Sequence, residues 1–315
     1  MTRSLPAVLA ACLLLPACGG ESTSGPSDDP SSPPSGNTGG VASIAGCAVF
    51  PADNPWNRDV SRDPVDPRSD AYIASIGASR FLHADFGSDP SYGIPWITVP
   101  GNQARVPIAF DYDDESDPGP YPIPRDAPIE GGGDRHILLL DRDNCRLYET
   151  FDTRYVGPGW RAGSGAIFDL RSNALRPDGW TSADAAGLPI LPGLVRRDEV
   201  KSGVIRHALR FTTRRTQRGY IAPATHFASS DRDPSLPPMG LRLRMKASYD
   251  LSRFRGDALV VLTAMKKHGL LLADNGSDWF ISGEANGAWD DADLDQLKSV
   301  PGSAFEVVQS GPIRN

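Results

Sequence analysis

The sequence predicts a mainly β domain, a sandwich or barrel-like arrangement with a few packed helices, and three observations carry that reading. Pro and Gly number 29 and 32 in 315 residues, and they cut the chain into short apolar runs in the manner of turns. Several of these runs alternate. In Ile205-Arg206-His207-Ala208-Leu209-Arg210-Phe211, the set Ile205, His207, Leu209 and Phe211 shares one face, and Arg206, Ala208 and Arg210 share the other. Helix signatures with recognisable starts and stops are few.

Ten strands follow from these patterns: 94–99, 106–112, 136–141, 146–152, 166–170, 205–213, 241–249, 270–273, 279–282 and 305–309. A helix is expected over 257–268, with Asp257 as its cap, Lys266, Lys267 and His268 in its last turn and Gly269 as its stop. A second is expected over 291–300, capped by Asp290, with Leu294, Leu297 and Val300 on one face. A short helical turn is expected at 182–187. No heptad, internal repeat or second linker divides residues 44–315, so they are read as one large domain with α+β character toward the C-terminus.

Residues 1–17 are read as lying outside that domain. Arg3 supplies a positive start, residues 5–15 are an apolar run too short to span a bilayer, and Leu15-Pro16-Ala17-Cys18 follows. This order resembles a bacterial lipoprotein signal ending in a lipobox, a resemblance confined to residues 1–18 and departing from the usual pattern at Pro16. It implies removal of residues 1–17 and lipidation of Cys18. The domain would then be anchored to a membrane of the cell envelope, facing the periplasm or the exterior, without spanning it. An ordinary cleaved signal and a secreted protein is the alternative. Residues 18–43 are rich in Ser, Gly and Pro and read as a disordered tether. A flexible chain of that length reaches roughly 25–30 Å.

The net charge of −7 argues against nucleic acid as a partner and against a polybasic grip on a membrane. A glycan partner, membrane contact through the lipid alone and a monomeric state are expected. Of the four cysteines, Cys12 is lost with the signal and Cys18 is the lipid site. Cys47 and Cys145 are expected to bridge in an oxidising compartment, with two buried thiols as the alternative. The alternating Arg242, Arg244 and Lys246 read as a solvated strand face. The acidic residues of 111–117 read as a solvated loop, since they lack the glycine and terminal Glu of a calcium loop.

The candidate site residues come from the scarce histidines, loop-borne tryptophans and acids at strand ends. His136 follows the glycine run 131–133, His207 lies on the apolar face of its strand, and His226 follows Pro223-Ala224-Thr225. They suit proton transfer or, less favoured for want of ligand spacing, a divalent metal. A satisfied core histidine is the plainer reading of each. Asp274, Asn275 and Asp278 crowd a turn before Trp279, and Asn275-Gly276 is also a hairpin signal. Asp134, Asp274 and Asp278 are candidate acids or bases for a glycosidic link. Trp160, Trp180, Trp279 and Asn275 are candidate sugar contacts. No cofactor is expected. Gly163-Ser164-Gly165 is not the elbow of a serine hydrolase. Together these features predict an exported carbohydrate-active enzyme, a glycoside hydrolase or polysaccharide lyase. The alternative is a surface module that binds a glycan or protein without catalysis.

Overall fold

The computed structural model describes residues 40–157 and 159–315. The leader, Cys18 and nearly all of the expected tether lie outside the described residues. The described chain opens with a tight hairpin, β1 (Ser43–Ile44) and β2 (Cys47–Ala48). Helix α1 (Ser69–Ile76) and β3 (His83–Ala84) follow. The central part holds β4 (Trp96–Val99), β5 (Ile108–Phe110), β6 (Ile137–Asp141), β7 (Arg146–Phe151), β8 (Arg154–Val156), β9 (Gly159–Ala162) and β10 (Ser164–Asp169). The last part holds α2 (Arg197–Lys201), β11 (Leu209–Thr213), β12 (Arg242–Met245), α3 (Gly256–Lys267), β13 (Leu270–Asn275), β14 (Phe280–Ile281), α4 (Asp291–Leu294) and β15 (Phe305–Val307). Each of the ten expected strands overlaps one of these; most are shorter than expected, while β10 starts two residues earlier and β13 ends two residues later.

The domain is mainly β with few helices. A four-stranded sheet runs β10-β7-β6-β4, with β4 parallel to β6 and the other pairs antiparallel. A six-stranded mixed sheet runs β15-β12-β13-β11-β14-β3 and curls as half a barrel. A separate three-stranded sheet runs β5-β9-β8. Leu138, Leu140 and Leu147 of the first sheet join Leu209, Phe211, Leu243 and Leu270–Leu272 of the second in one buried apolar cluster. Ile137, Leu139 and Tyr148, on the opposite face of the first sheet, pack in a second cluster with Tyr121 and Trp160. The alternation of β6 therefore feeds two cores, one on each face. Cys47 and Cys145 form a disulfide with Cα atoms 5.5 Å apart, which pins the opening hairpin to the turn before β7.

Several local expectations are corrected. Asn275-Gly276 does not close a hairpin: β13 and β14 lie on either side of β11, parallel and antiparallel to it. The chain crosses the end of β11, where Gly276 N–H donates to Thr213 O and Thr212 Oγ1 donates to Ser277 O. Residues 182–187 form turns, not helix. Asp257 sits inside α3 and binds Arg197, while its own N–H is capped by the Asp293 carboxylate, so the cap comes from α4. Arg242 and Arg244 are buried, not solvated. Their guanidinium groups donate to backbone carbonyls of Pro55, His268, Val60 and Asp63, and Arg244 also pairs with Glu306. Burial lowers the Arg242 pKa to about 10. The alternation placed these two arginines on one face, but not the loop of residues 55–63 that covers it. Among the described residues, no helix is long and apolar enough to cross a membrane.

Candidate active site

The site begins with an irregularity in β13. Leu270, Leu271 and Leu272 pair in register with Leu209, Arg210 and Phe211, but Thr212 then pairs with Asp274, leaving Ala273 as the extra residue of a bulge. Bulges re-aim side chains at strand ends. Here the bulge puts Asp274 at the register position that Ala273 would otherwise occupy. Asp274 is only partly exposed, and its carboxylate accepts the N–H of Asn275 at 2.6 Å.

Two cavities of about 390 and 420 Å³ share Asp134, Asp274 and Asn275 in their walls, so Asp274 stands where they meet. The first extends past Ser164, Ala185, His226 and Tyr112. The second extends past Asp85, the glycines 131–133, Phe280 and Tyr92. The groove is built where the loop entering β6 approaches the ends of β11 and β13.

Charges deep in the wall set the chemistry of Asp274. Asp184 is fully buried and takes two bonds from Arg210, Nη2 to Oδ1 at 2.7 Å and Nε to Oδ2 at 3.1 Å; Arg210 Nη1 donates to Ser282 Oγ at 2.5 Å. Burial raises the Asp274 pKa, and the Asp184 charge adds to it. Arg210, the Asn275 N–H and His136 pull the other way, and the balance lies at about 7. A carboxyl with that pKa is poised to give and take a proton near neutrality.

His136 is buried behind the same wall. Its Nδ1 lies 2.5 Å from Glu130 Oε2 and its Nε2 lies 3.0 Å from the carbonyl of Ala183. Burial disfavours the imidazolium, but the hydrogen bond and charge of Glu130 outweigh it and hold the pKa above the usual histidine value. With both ring nitrogens engaged, His136 ties the glycine loop to the 182–185 segment and acts as a positioning residue. Glu149, on β7, is wholly buried and accepts the N–H groups of Ile190 and Leu191, each at 2.8 Å. Burial lifts it to about 7, against those two bonds. It fixes the segment that follows Asp184.

Of the residues singled out from sequence, Asp134, His136, His226, Asp274 and Asn275 come together around the groove. Asp134 is exposed at the junction. His226 is half-buried, with Nδ1 2.7 Å from Ala185 O and Nε2 3.8 Å from Glu115. The others do not join them. His207 is fully buried, with Nε2 2.9 Å from Glu199 and Nδ1 2.8 Å from Ala208 O, and is a core residue. Burial pushes Glu199 up, but His207 and Arg196 outweigh it and leave its pKa below the usual glutamate value. Asp278 is spent on structure, accepting from Thr213 Oγ1 and Arg214 N–H and pairing with Arg80.

Trp279 is fully buried, with Nε1 donating to Gly77 O, and Trp160 is buried in the second cluster. Neither ring is open to a sugar. Trp180 is half-buried beside the Arg176 guanidinium and does not line the groove. Among the described residues no three His, Cys, Asp or Glu side chains gather as a metal site would need.

The sequence reasoning missed Asp184, Arg210 as its partner, and the exposed rings of Tyr92 and Tyr112. A signal for the first pair was present. Asp184 is a lone acid in the apolar stretch 183–195 up to Arg196, and Arg210 lies in an apolar strand, so each needed a buried partner. No family model matches the chain, and neither a curated protein nor a solved structure matches it.

Proposed function

We propose that this protein is an envelope-tethered carbohydrate-active enzyme that cleaves a glycan in the groove around Asp274. The observation that carries the reading is a carboxyl at the meeting of two open cavities, its pKa pushed up to about 7 by burial. Asp274 gives its proton to the glycosidic oxygen as the C–O bond breaks. Asp134, exposed at the same junction, takes a proton from the attacking water. Burial and the Asp184 charge hold the Asp274 proton against the pull of Arg210, and His136 with Glu130 holds the wall that carries them. The lipoprotein-like leader supports the location, since an anchored enzyme meets glycan at a cell surface.

The test is product release from a panel of polysaccharides by residues 43–315, reading reducing ends and unsaturated ends together. Reducing ends without unsaturated ends identify a hydrolase; unsaturated ends identify a lyase. Loss of release by at least a thousandfold in Asp274→Asn is expected. Binding without any product would replace the enzyme with a glycan-binding module.

A further inference from the structure

The size, rings and charge of the groove bear on its substrate, an inference that rests on the catalytic reading of Asp274. Tyr112 is 54% exposed and lines only the first of the two cavities that meet at Asp274; Tyr92 is 59% exposed and lines the second. Tyr92 also lines a third cavity of about 420 Å³, with His83, Ser88 and Lys298, so the open path continues beyond it. Each cavity has the volume of a small-ligand site. Exposed aromatic faces stack on sugar C–H surfaces, and here one stands on each side of the acid.

Charge narrows the class. The two cavities at Asp274 are lined by six carboxyl side chains: Asp85, Glu115, Glu130, Asp134, Asp184 and Asp274. Among the described residues lining them, Arg210 is the one arginine, there is no lysine, and the Arg210 guanidinium is already bonded to Asp184 and Ser282. A uronate would bring negative charge into a lining whose ionisable groups are mostly carboxyls and whose one arginine is already bonded. Like charges brought together there repel, more strongly beside the protein than in bulk water. Elimination from a uronate also needs a cation on the sugar carboxylate as charge develops there; the lining has no lysine, its one arginine is bonded to Asp184, and its histidines His136 and His226 are bonded to Glu130, Ala183 and Ala185.

We propose that the substrate is a linear polymer of neutral or amino sugars that lies across Asp274 with Tyr92 and Tyr112 under its two arms, and that it is hydrolysed internally.

The test separates binding from cleavage. Hexamers of glucosamine, N-acetylglucosamine and galacturonate are titrated against Asp274→Asn protein. Chitosan, a neutral β-glucan and polygalacturonate are then incubated with the unaltered enzyme while viscosity and reducing ends are followed. A neutral or amino-sugar hexamer should bind at least tenfold tighter than galacturonate. Tyr92→Ala and Tyr112→Ala, both at exposed positions, should each weaken binding about tenfold without lowering the melting temperature. Viscosity should fall before reducing ends accumulate. Equal or tighter binding of galacturonate, or release of single sugars from chain ends, overturns the proposal. The expected binding order with no polymer cut keeps the charge and ring assignment and refutes the catalytic reading. No binding of any hexamer refutes both.

Discussion

Replacing Asp274 by Asn should make the protein more stable at alkaline pH, by an amount that follows from the burial of its carboxyl. The folded-state pKa is about 7 against an ordinary value of 3.8. Between those values the folded protein binds more protons than the unfolded chain at this site, so wild-type stability falls as pH rises from about 4 to about 7. Above pH 7 the full cost is present. Three units at 1.36 kcal/mol each set an upper limit of roughly 4 kcal/mol. Asp274 is partly open to the groove, so a gain of about 2–4 kcal/mol is expected on removing its charge. For a domain of this size that is about 4–7 °C in Tm.

The amide keeps an oxygen to accept the Asn275 N–H, so little else is lost. Urea unfolding of both proteins at pH 4 and pH 8.5 is the assay. The gain should be present at pH 8.5 and close to zero at pH 4. A variant less stable than wild type at pH 8.5, or a difference that does not change with pH, would refute the account of Asp274 as a carboxyl strained by burial.

Three further outcomes are expected. Glu149→Gln leaves one of the Ile190 and Leu191 N–H groups facing a donor and should cost about 1–3 kcal/mol at pH 5, by urea midpoint at unchanged m. Because wild-type Glu149 ionises at about 7 in the fold against 4.5 ordinarily, wild-type stability falls over that window and the gap should narrow by pH 8.5. His207→Ala opens a core cavity and strips Glu199 of one partner. It should cost about 3–5 kcal/mol by urea unfolding, while the folded fraction keeps its glycan binding. Replacing Cys47 and Cys145 by Ser frees a loop with a sequence separation of 98 and should cost about 4–5 kcal/mol in the chain-entropy model, with binding retained after refolding.

The legibility of the chain followed the range of the forces involved. Strands such as β6 and β13 were readable because short continuous apolar runs and flanking turns are local properties. Strand neighbours were not, since Asn275-Gly276 has hairpin chemistry yet carries the chain across β11. The short strands β8 and β9 are absent from the ten expected strands because their sheet is completed by pairing with the distant β5. At the site, Asp274 and Asp134 stood out as acids at strand ends. Trp279 and His207 misled because residue type alone does not reveal burial: Gly77, far along the chain, takes the Trp279 N–H, and Glu199 on the nearby helix α2 meets the His207 ring. Tyr92 and Tyr112 were missed for the converse reason: nothing local marks a ring that the fold leaves exposed.

The most direct test of the central claim is the pH dependence of kcat on the best glycan of the panel, measured for wild type and Asp274→Asn. The account predicts a wild-type rate that declines with a midpoint near 7 as the Asp274 proton is lost, and a rate at least a thousandfold lower in the variant across the range. Wild-type-like turnover by Asp274→Asn, with the same pH profile, would place the chemistry elsewhere in the molecule and contradict the account.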